Sequence, residues 1–199
     1  PHIFILSDEI YEYINFTNER VTSIAEIDSL YERTITVNGM SKAFAMTGWR
    51  IGYMGAPEWI AKACAKVQGQ VTSGANAIAQ RASIAALKAP KSKIQYMVDE
   101  FKRRRDLVLE LLNEIEGFKL NIPEGAFYVF PDISSFFGKT LRGRIINNAS
   151  DFSLYLLEEA MVATVTGEAF GDANCIRFSY AASEKDLREA IRRIKESLQ

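Results

Sequence analysis

Short strand-like runs that alternate with helical periods constrain this chain more than any other feature. His2–Leu6 (HIFIL), Thr34–Gly39 (TITVNG) and Trp49–Gly55 (WRIGYMG) are rich in β-branched, aliphatic and aromatic residues and give way to polar or turn residues. Helical patterns follow: Pro57 to about Gln68, opened by Pro and Glu, and Asn76–Leu87, rich in alanine with apolar residues at helical spacing. Strands interleaved with helices predict an α/β layer around a parallel sheet. A strand as apolar as His2–Leu6 wants neighbours on both sides and cover on both faces. With Pro1 as first residue, the chain is therefore expected to be a piece of a longer one.

A longer helix is predicted over Lys91 to about Ile115, where Ile94, Met97, Phe101, Val108, Leu111 and Leu112 recur near the helical period and Gly117 follows. Its basic run, Lys102, Arg103, Arg104 and Arg105, reads as a solvated face paired with nearby acids. Beyond it, Pro123–Ile133 reads as turn, short aromatic strand, turn, and residues 136–150 as a loop. Ser150 or Asp151 is expected to cap a helix reaching about Ala160. Met161–Gly167 reads as a strand entering a turn and Asn174–Tyr180 as a strand; Ser183 with Asp186 opens a final amphipathic helix. These elements predict a second, smaller α/β layer, with domains at 1–90 and 91–199. Tyr96, Phe101, Phe127 and Tyr128 are assigned to core or domain-interface packing, and Cys64 and Cys175 to inert buried thiols.

Composition removes several functions. Lys and Arg number 24 against 25 Asp and Glu, a net charge of -1 that offers no footprint for nucleic acid or an anionic membrane. No stretch of about eighteen apolar residues occurs, so no membrane span is expected and a cytoplasmic protein is. The one histidine is His2, which leaves no Ser-His-Asp or Cys-His pair to build on. Phosphate-loop and dinucleotide glycine spacings are missing, as are clusters of metal ligands.

What remains is Gly39–Gly52, GMSKAFAMTGWRIG. Lys42 directly follows a strand, at the carboxyl edge of a parallel sheet, where open α/β folds hold ligands. Burial that lowers a lysine's pKa leaves neutral amine able to attack a carbonyl carbon. Ser41 and Gly39 let a phosphate approach backbone N–H groups, and Arg50 supplies a planar fork of donors. An amine for a carbonyl and a guanidinium for a phosphate together describe a phosphorylated aldehyde. At the end of the first strand Asp8, expected to be buried and so to need a strong partner, can keep a ring nitrogen protonated, while Tyr11 can donate to a ring oxygen.

GMSKAFAMTGWRIG resembles the pyridoxal-phosphate lysine signature of class I aminotransferases, the aspartate aminotransferase-like group. SDEIYEYI, PEGAFYVFPDI, VTGEAFG and IRFSYA resemble later landmarks of that family, in the same order along the whole chain. The resemblance implies an α/β fold: the carboxyl-terminal half of a large cofactor-binding domain with a parallel-rich sheet, then a smaller α/β carboxyl-terminal domain. It implies pyridoxal 5′-phosphate as cofactor and Lys42 as the Schiff-base lysine that forms the internal aldimine and shuttles the substrate's α-proton. It further implies Asp8 as partner of the pyridine nitrogen, Tyr11 of the ring oxygen, Ser41 and Arg50 of the phosphate, and Arg177 as the clamp on the substrate's α-carboxylate. The implied activity is transamination between an amino acid and a 2-oxo acid in a homodimer, in which Gln70–Gln80 approaches the neighbouring subunit's site. A lyase or synthase of the same fold is the alternative for the parent protein. For this piece by itself, lacking the family's upstream motifs, the alternative is a truncated chain without activity.

Overall fold

The computed structural model describes residues 3–17 and 19–199. The chain divides into two compact units, Pro1–Val98 and Asp99–Gln199.

The first unit is built on a three-stranded sheet, β1 (Ile5–Asp8), β2 (Thr34–Gly39) and β3 (Gly52–Gly55), in that spatial order. β1 and β2 run parallel, with Ile5 opposite Thr34 and Asp8 opposite Val37. β3 runs antiparallel to β2, with Gly39 opposite Gly52, so the sheet is mixed, a parallel pair with an antiparallel third strand. The cause is the link between them: residues 40–51 coil around a single 3-10 turn, Thr47–Trp49, and hold no helix of the kind a parallel crossover uses. That turn also removes Trp49 from the third strand.

β1 departs from expectation as well. Its strand ends at Asp8 as expected, but its side chains alternate between half-buried and exposed, Leu6 being 68% exposed. An apolar run does not by itself say that both faces of a strand are covered. The part of that run at His2 lies outside the described residues.

A short helix α1 (Asp28–Tyr31) precedes β2, and α2 (Glu58–Val71), α3 (Ala77–Lys88) and α4 (Ser92–Asn113) follow β3; the division between the units falls within α4. Asn76 caps α3 by accepting the Ile78 and Ala79 N–H groups at 2.9 and 3.0 Å. The core of this unit is small: Ile14, Met40, Ala43, Met46 and Ile60 are among its buried apolar side chains, while Trp59, Val67, Val71, Ile78 and Leu87 on α2 and α3 are exposed.

In the second unit β4 (Tyr128–Val129), β8 (Ile176–Ser179) and β7 (Val165–Thr166) form an antiparallel sheet in that spatial order. Helices α5 (Ala149–Glu159) and α6 (Glu184–Ser197) complete it. Leu112 of α4, Phe152, Tyr155 and Leu156 of α5, Ile194 of α6 and Ile176 of β8 are wholly buried. Each such side chain contributes roughly 1.5–3 kcal/mol of transfer free energy. Phe136 stacks on Phe152 with centroids 4.7 Å apart, and Phe118 meets both edge-on. The buried Tyr155 hydroxyl donates to the Ser197 carbonyl, tying α5 to the end of α6.

Five further expectations are corrected here. Residues 136–150 are not only loop: β5 (Thr140–Leu141) and β6 (Arg144–Ile145) form a hairpin whose two-residue turn, Arg142 and Gly143, has φ of 46° and 83°. Both turn residues at positive φ match the twist of paired strands. Asn148, not Ser150 or Asp151, caps α5, accepting the Asp151 N–H at 2.8 Å. The basic run on α4 is solvated at Lys102 and Arg103, but Arg105 is buried and donates to the Pro123 carbonyl at 2.8 Å. Tyr96 is 74% exposed, not packed, and Cys64 is exposed while Cys175 is buried. Among the described residues no helix is long and apolar enough to cross a membrane.

Candidate active site

Parallel pairing sets the carboxyl ends of β1 and β2 side by side, and the Glu9 N–H extends the ladder one residue past Asp8 by donating to the Val37 carbonyl at 2.8 Å. The chain then turns. The Asp8 side chain accepts the Ile10 N–H at 3.2 Å, Glu12 N–H donates to the Glu9 carbonyl at 3.0 Å, and Ile14, wholly buried, anchors the far side. This turn carries Tyr11 under Lys42, whose Nζ lies 5.9 Å from the centre of the Tyr11 ring. Asp8 itself is exposed, against the expectation of burial, because its strand leaves that face uncovered.

Lys42 sits on a loop held by its apolar neighbours. Met40 and Ala43 are each 1% exposed and Met46 is buried, so Ser41 and Lys42, between and beside them, are left half-buried. Met46 N–H donates to the Met40 carbonyl, closing the loop. Two non-glycine residues, Ala45 at φ 53° and Arg50 at φ 52°, take the left-handed conformation, which costs about 1–2 kcal/mol each. Such strain persists only where surrounding structure fixes it.

Thr47 is what fixes it. Its hydroxyl donates to the Ser41 carbonyl at 3.1 Å, and its own carbonyl accepts the Arg50 guanidinium at 2.9 Å. Thr47 therefore couples the lysine turn to Arg50, a role that residue type alone does not announce. Below the loop β2 and β3 approach closely: a Cβ added to Gly39 would stand 3.1 Å from Gly52 Cα and from the Ile51 carbonyl oxygen. Glycine is needed there for contact, not for flexibility.

Arg177 belongs to the second unit. It lies on β8 opposite Val165 and is half-buried. Its guanidinium carbon is 4.3 Å from the Tyr128 ring centre and 4.1 Å from that of Phe170. Gln70–Gln80 spans the end of α2, a loop with Ser73 at φ 62°, and the start of α3, and is exposed apart from Ala79. The first unit thus gathers an amine beside a phenol, a carboxylate at the adjoining strand end, and a hydroxyl and guanidinium joined through Thr47. Chemically, that is a nucleophile for a carbonyl carbon, an acceptor for a protonated ring nitrogen, and donors for an anionic oxygen.

The family profile described as "Aminotransferase class I and II" matches residues 1–194. The chain belongs to that family. It is 47% identical over 202 residues to an aspartate aminotransferase of Pinus pinaster, covering 100% of this chain and 41% of that one. Among solved structures it is similar to the aspartate aminotransferase of Rhizobium meliloti, 46% identical with a TM-score of 0.95, covering 100% of this chain and 50% of that one. An aspartate aminotransferase of Thermus thermophilus solved with maleate is 39% identical with a TM-score of 0.87, covering 99% of this chain and 49% of that one. The chain therefore spans about half the length of the relatives it matches.

The sequence alone points to Lys42, Tyr11, Asp8, Ser41, Arg50 and Arg177 but passes over Thr47 and Phe170. Phe170 stands in VTGEAFG, one of the segments that resemble the family. Only the path of the chain from β7 to β8 brings it over Arg177.

Proposed function

We propose that the complete protein transfers an amino group between an amino acid and a 2-oxo acid, that pyridoxal 5′-phosphate is its cofactor, and that Lys42 is the residue its aldehyde carbon engages. The observation that carries this reading is the position of Lys42 Nζ, 5.9 Å over the Tyr11 ring, at the carboxyl ends of two parallel strands. The donor set fits the group in kind: amine for aldehyde, carboxylate for pyridine nitrogen, phenol for ring oxygen, and hydroxyl with guanidinium for phosphate.

When bound, the cofactor supplies an electron sink for charge developing at the substrate's α-carbon. The chain supplies the rest. Lys42 Nζ, as neutral amine, takes the α-proton, which an ammonium group cannot do. Asp8, as an anion, favours the protonated form of a ring nitrogen beside it. Tyr11 would donate its hydroxyl hydrogen to the ring oxygen. Arg50 and Ser41 would hold the phosphate, Arg50 as a fork of donors where a lysine would offer a point charge. Arg177 receives the substrate's carboxylate in the same forked geometry.

The names of the relatives, aspartate aminotransferases among them, lead us to L-aspartate as amino donor. The exposed apolar residues of α2 and α3 support a homodimer as the working assembly. A second reading concerns these 199 residues by themselves: spanning 41–50% of the relatives' length, they fold without turning over. Lys42→Ala in the complete protein is expected to abolish both the visible absorbance of bound cofactor and the half-reaction with aspartate. Unchanged absorbance and rate in that variant would overturn the proposal.

A further inference from the structure

We propose that Phe170 and Tyr128 are positioning residues for Arg177, clamping its guanidinium from both faces so that only its N–H edge is open to a carboxylate. The proposal rests on reading Arg177 as the carboxylate receptor, and it adds what makes that receptor selective.

The Arg177 guanidinium lies over two aromatic rings. The guanidinium carbon lies 4.3 Å from one ring centre and 4.1 Å from the other, well within the range over which a ring face attracts a cation. All five N–H donors of a guanidinium lie in its plane, and its faces donate nothing. Rings on both faces shed water from the surfaces that make no hydrogen bonds and fix the plane that does. Among the described residues Arg177 has no ion pair and no side-chain hydrogen bond. A half-buried cation with covered faces and an uncommitted edge lacks an anion.

Phe170 has no other evident reason for its place. Its side chain is 47% exposed, so burial does not hold it, and its further ring contact is Phe130, edge-on at 6.2 Å. The backbone does hold it. Phe170 ends the 3-10 turn Gly167–Phe170, and a Cβ on Gly167 would stand 2.3 Å from both the Asp172 and Cys175 carbonyl oxygens. The turn is packed so closely that only glycine can start it, which sets where Phe170 stands over β8. A guanidinium fork held in one plane presents two parallel N–H donors to the two oxygens of a carboxylate.

The test uses the complete protein, with maleate as the carboxylate probe and L-aspartate as substrate. Phe170→Leu keeps an apolar side chain but removes the ring face. It is expected to raise the maleate Kd about five- to tenfold and the aspartate KM in step, with kcat changed less than about twofold. Phe170→Tyr restores both constants. Arg177→Lys is the control on the underlying reading, with an expected loss of about thirtyfold or more in maleate affinity. In the 199-residue chain, NMR should find the Arg177 Nε–H proton shifted upfield by the two rings and returned toward the free-arginine position in Phe170→Leu. Wild-type maleate affinity in Phe170→Leu, with Arg177→Lys impaired, overturns the stack and leaves the receptor standing. Wild-type affinity in Arg177→Lys overturns the receptor and the stack with it. If Phe170→Leu fails to fold, a free-arginine shift in the wild-type chain by itself overturns the proposal.

Discussion

Replacing Gly167 by alanine is the sharpest probe of how the second unit is held together. The added Cβ would lie 2.3 Å from the carbonyl oxygens of Asp172 and Cys175 and 2.7 Å from the Cys175 carbonyl carbon, where real Cβ atoms essentially never come within 3.0 Å. All three neighbours are backbone, so no side chain can rotate away, and the chain must open by roughly 0.7 Å. Overpacking of this kind costs about 1–3 kcal/mol. The movement also pulls on the 2.7 Å hydrogen bond from Gly167 N–H to the Cys175 carbonyl, worth about 0.5–1.5 kcal/mol. The expected destabilisation is therefore about 2–4 kcal/mol. Cys175, buried beside this contact, is the natural reporter: urea-dependent exposure of its thiol should begin at correspondingly lower denaturant in Gly167→Ala. A change below about 0.5 kcal/mol, the ordinary range for neutral substitutions, would refute the close-approach argument and the anchoring of Phe170 that depends on it.

Three further expectations follow from named contacts. Tyr155→Phe leaves the buried Ser197 carbonyl without its donor and should cost about 1–3 kcal/mol in denaturant unfolding; a neutral result would mean that water reaches the end of α6. Glu100, hydrogen-bonded by Arg103 and Arg104, and Glu189, hydrogen-bonded by Arg192 and Arg193, are each held down to about 2. They should stay ionised at pH 3, so any stability they add is present above the ordinary carboxylate pKa and fades as pH falls toward 2; NMR midpoints near the ordinary glutamate value of 4.5 would contradict this. Cys64, exposed, should react with maleimide in the native chain, whereas Cys175, whose thiol burial and the Asp172 carboxylate push up to about 11, should not. Equal labelling rates would count against the assigned burial.

How far the sequence carried the account depends on what kind of information each feature needs. Lys42 and Arg50 stand out as candidates because their proposed chemistry is a matter of residue type, and the helices are legible because apolar spacing and caps such as Ser183 and Asn76 are local signals. Asn148 was missed because residues 147–151 offer several side chains able to cap, and only backbone geometry chooses among them. The hairpin turn at Arg142 was missed because an arginine at positive φ has no sequence signature. Burial of β1 was overread, since an apolar run does not state how many faces are covered. The stack on Arg177 joins residues from β4, β8 and the turn after β7, and no spacing along the chain encodes it.

The central claim is that Lys42 is the carbonyl-reactive amine. Its most direct test is to load the complete protein with pyridoxal 5′-phosphate, reduce with borohydride, digest, and locate the stable mass adduct by peptide sequencing. The account predicts one adduct per chain, on the peptide containing Lys42. An adduct on any other lysine, with Lys42 unmodified, would contradict it.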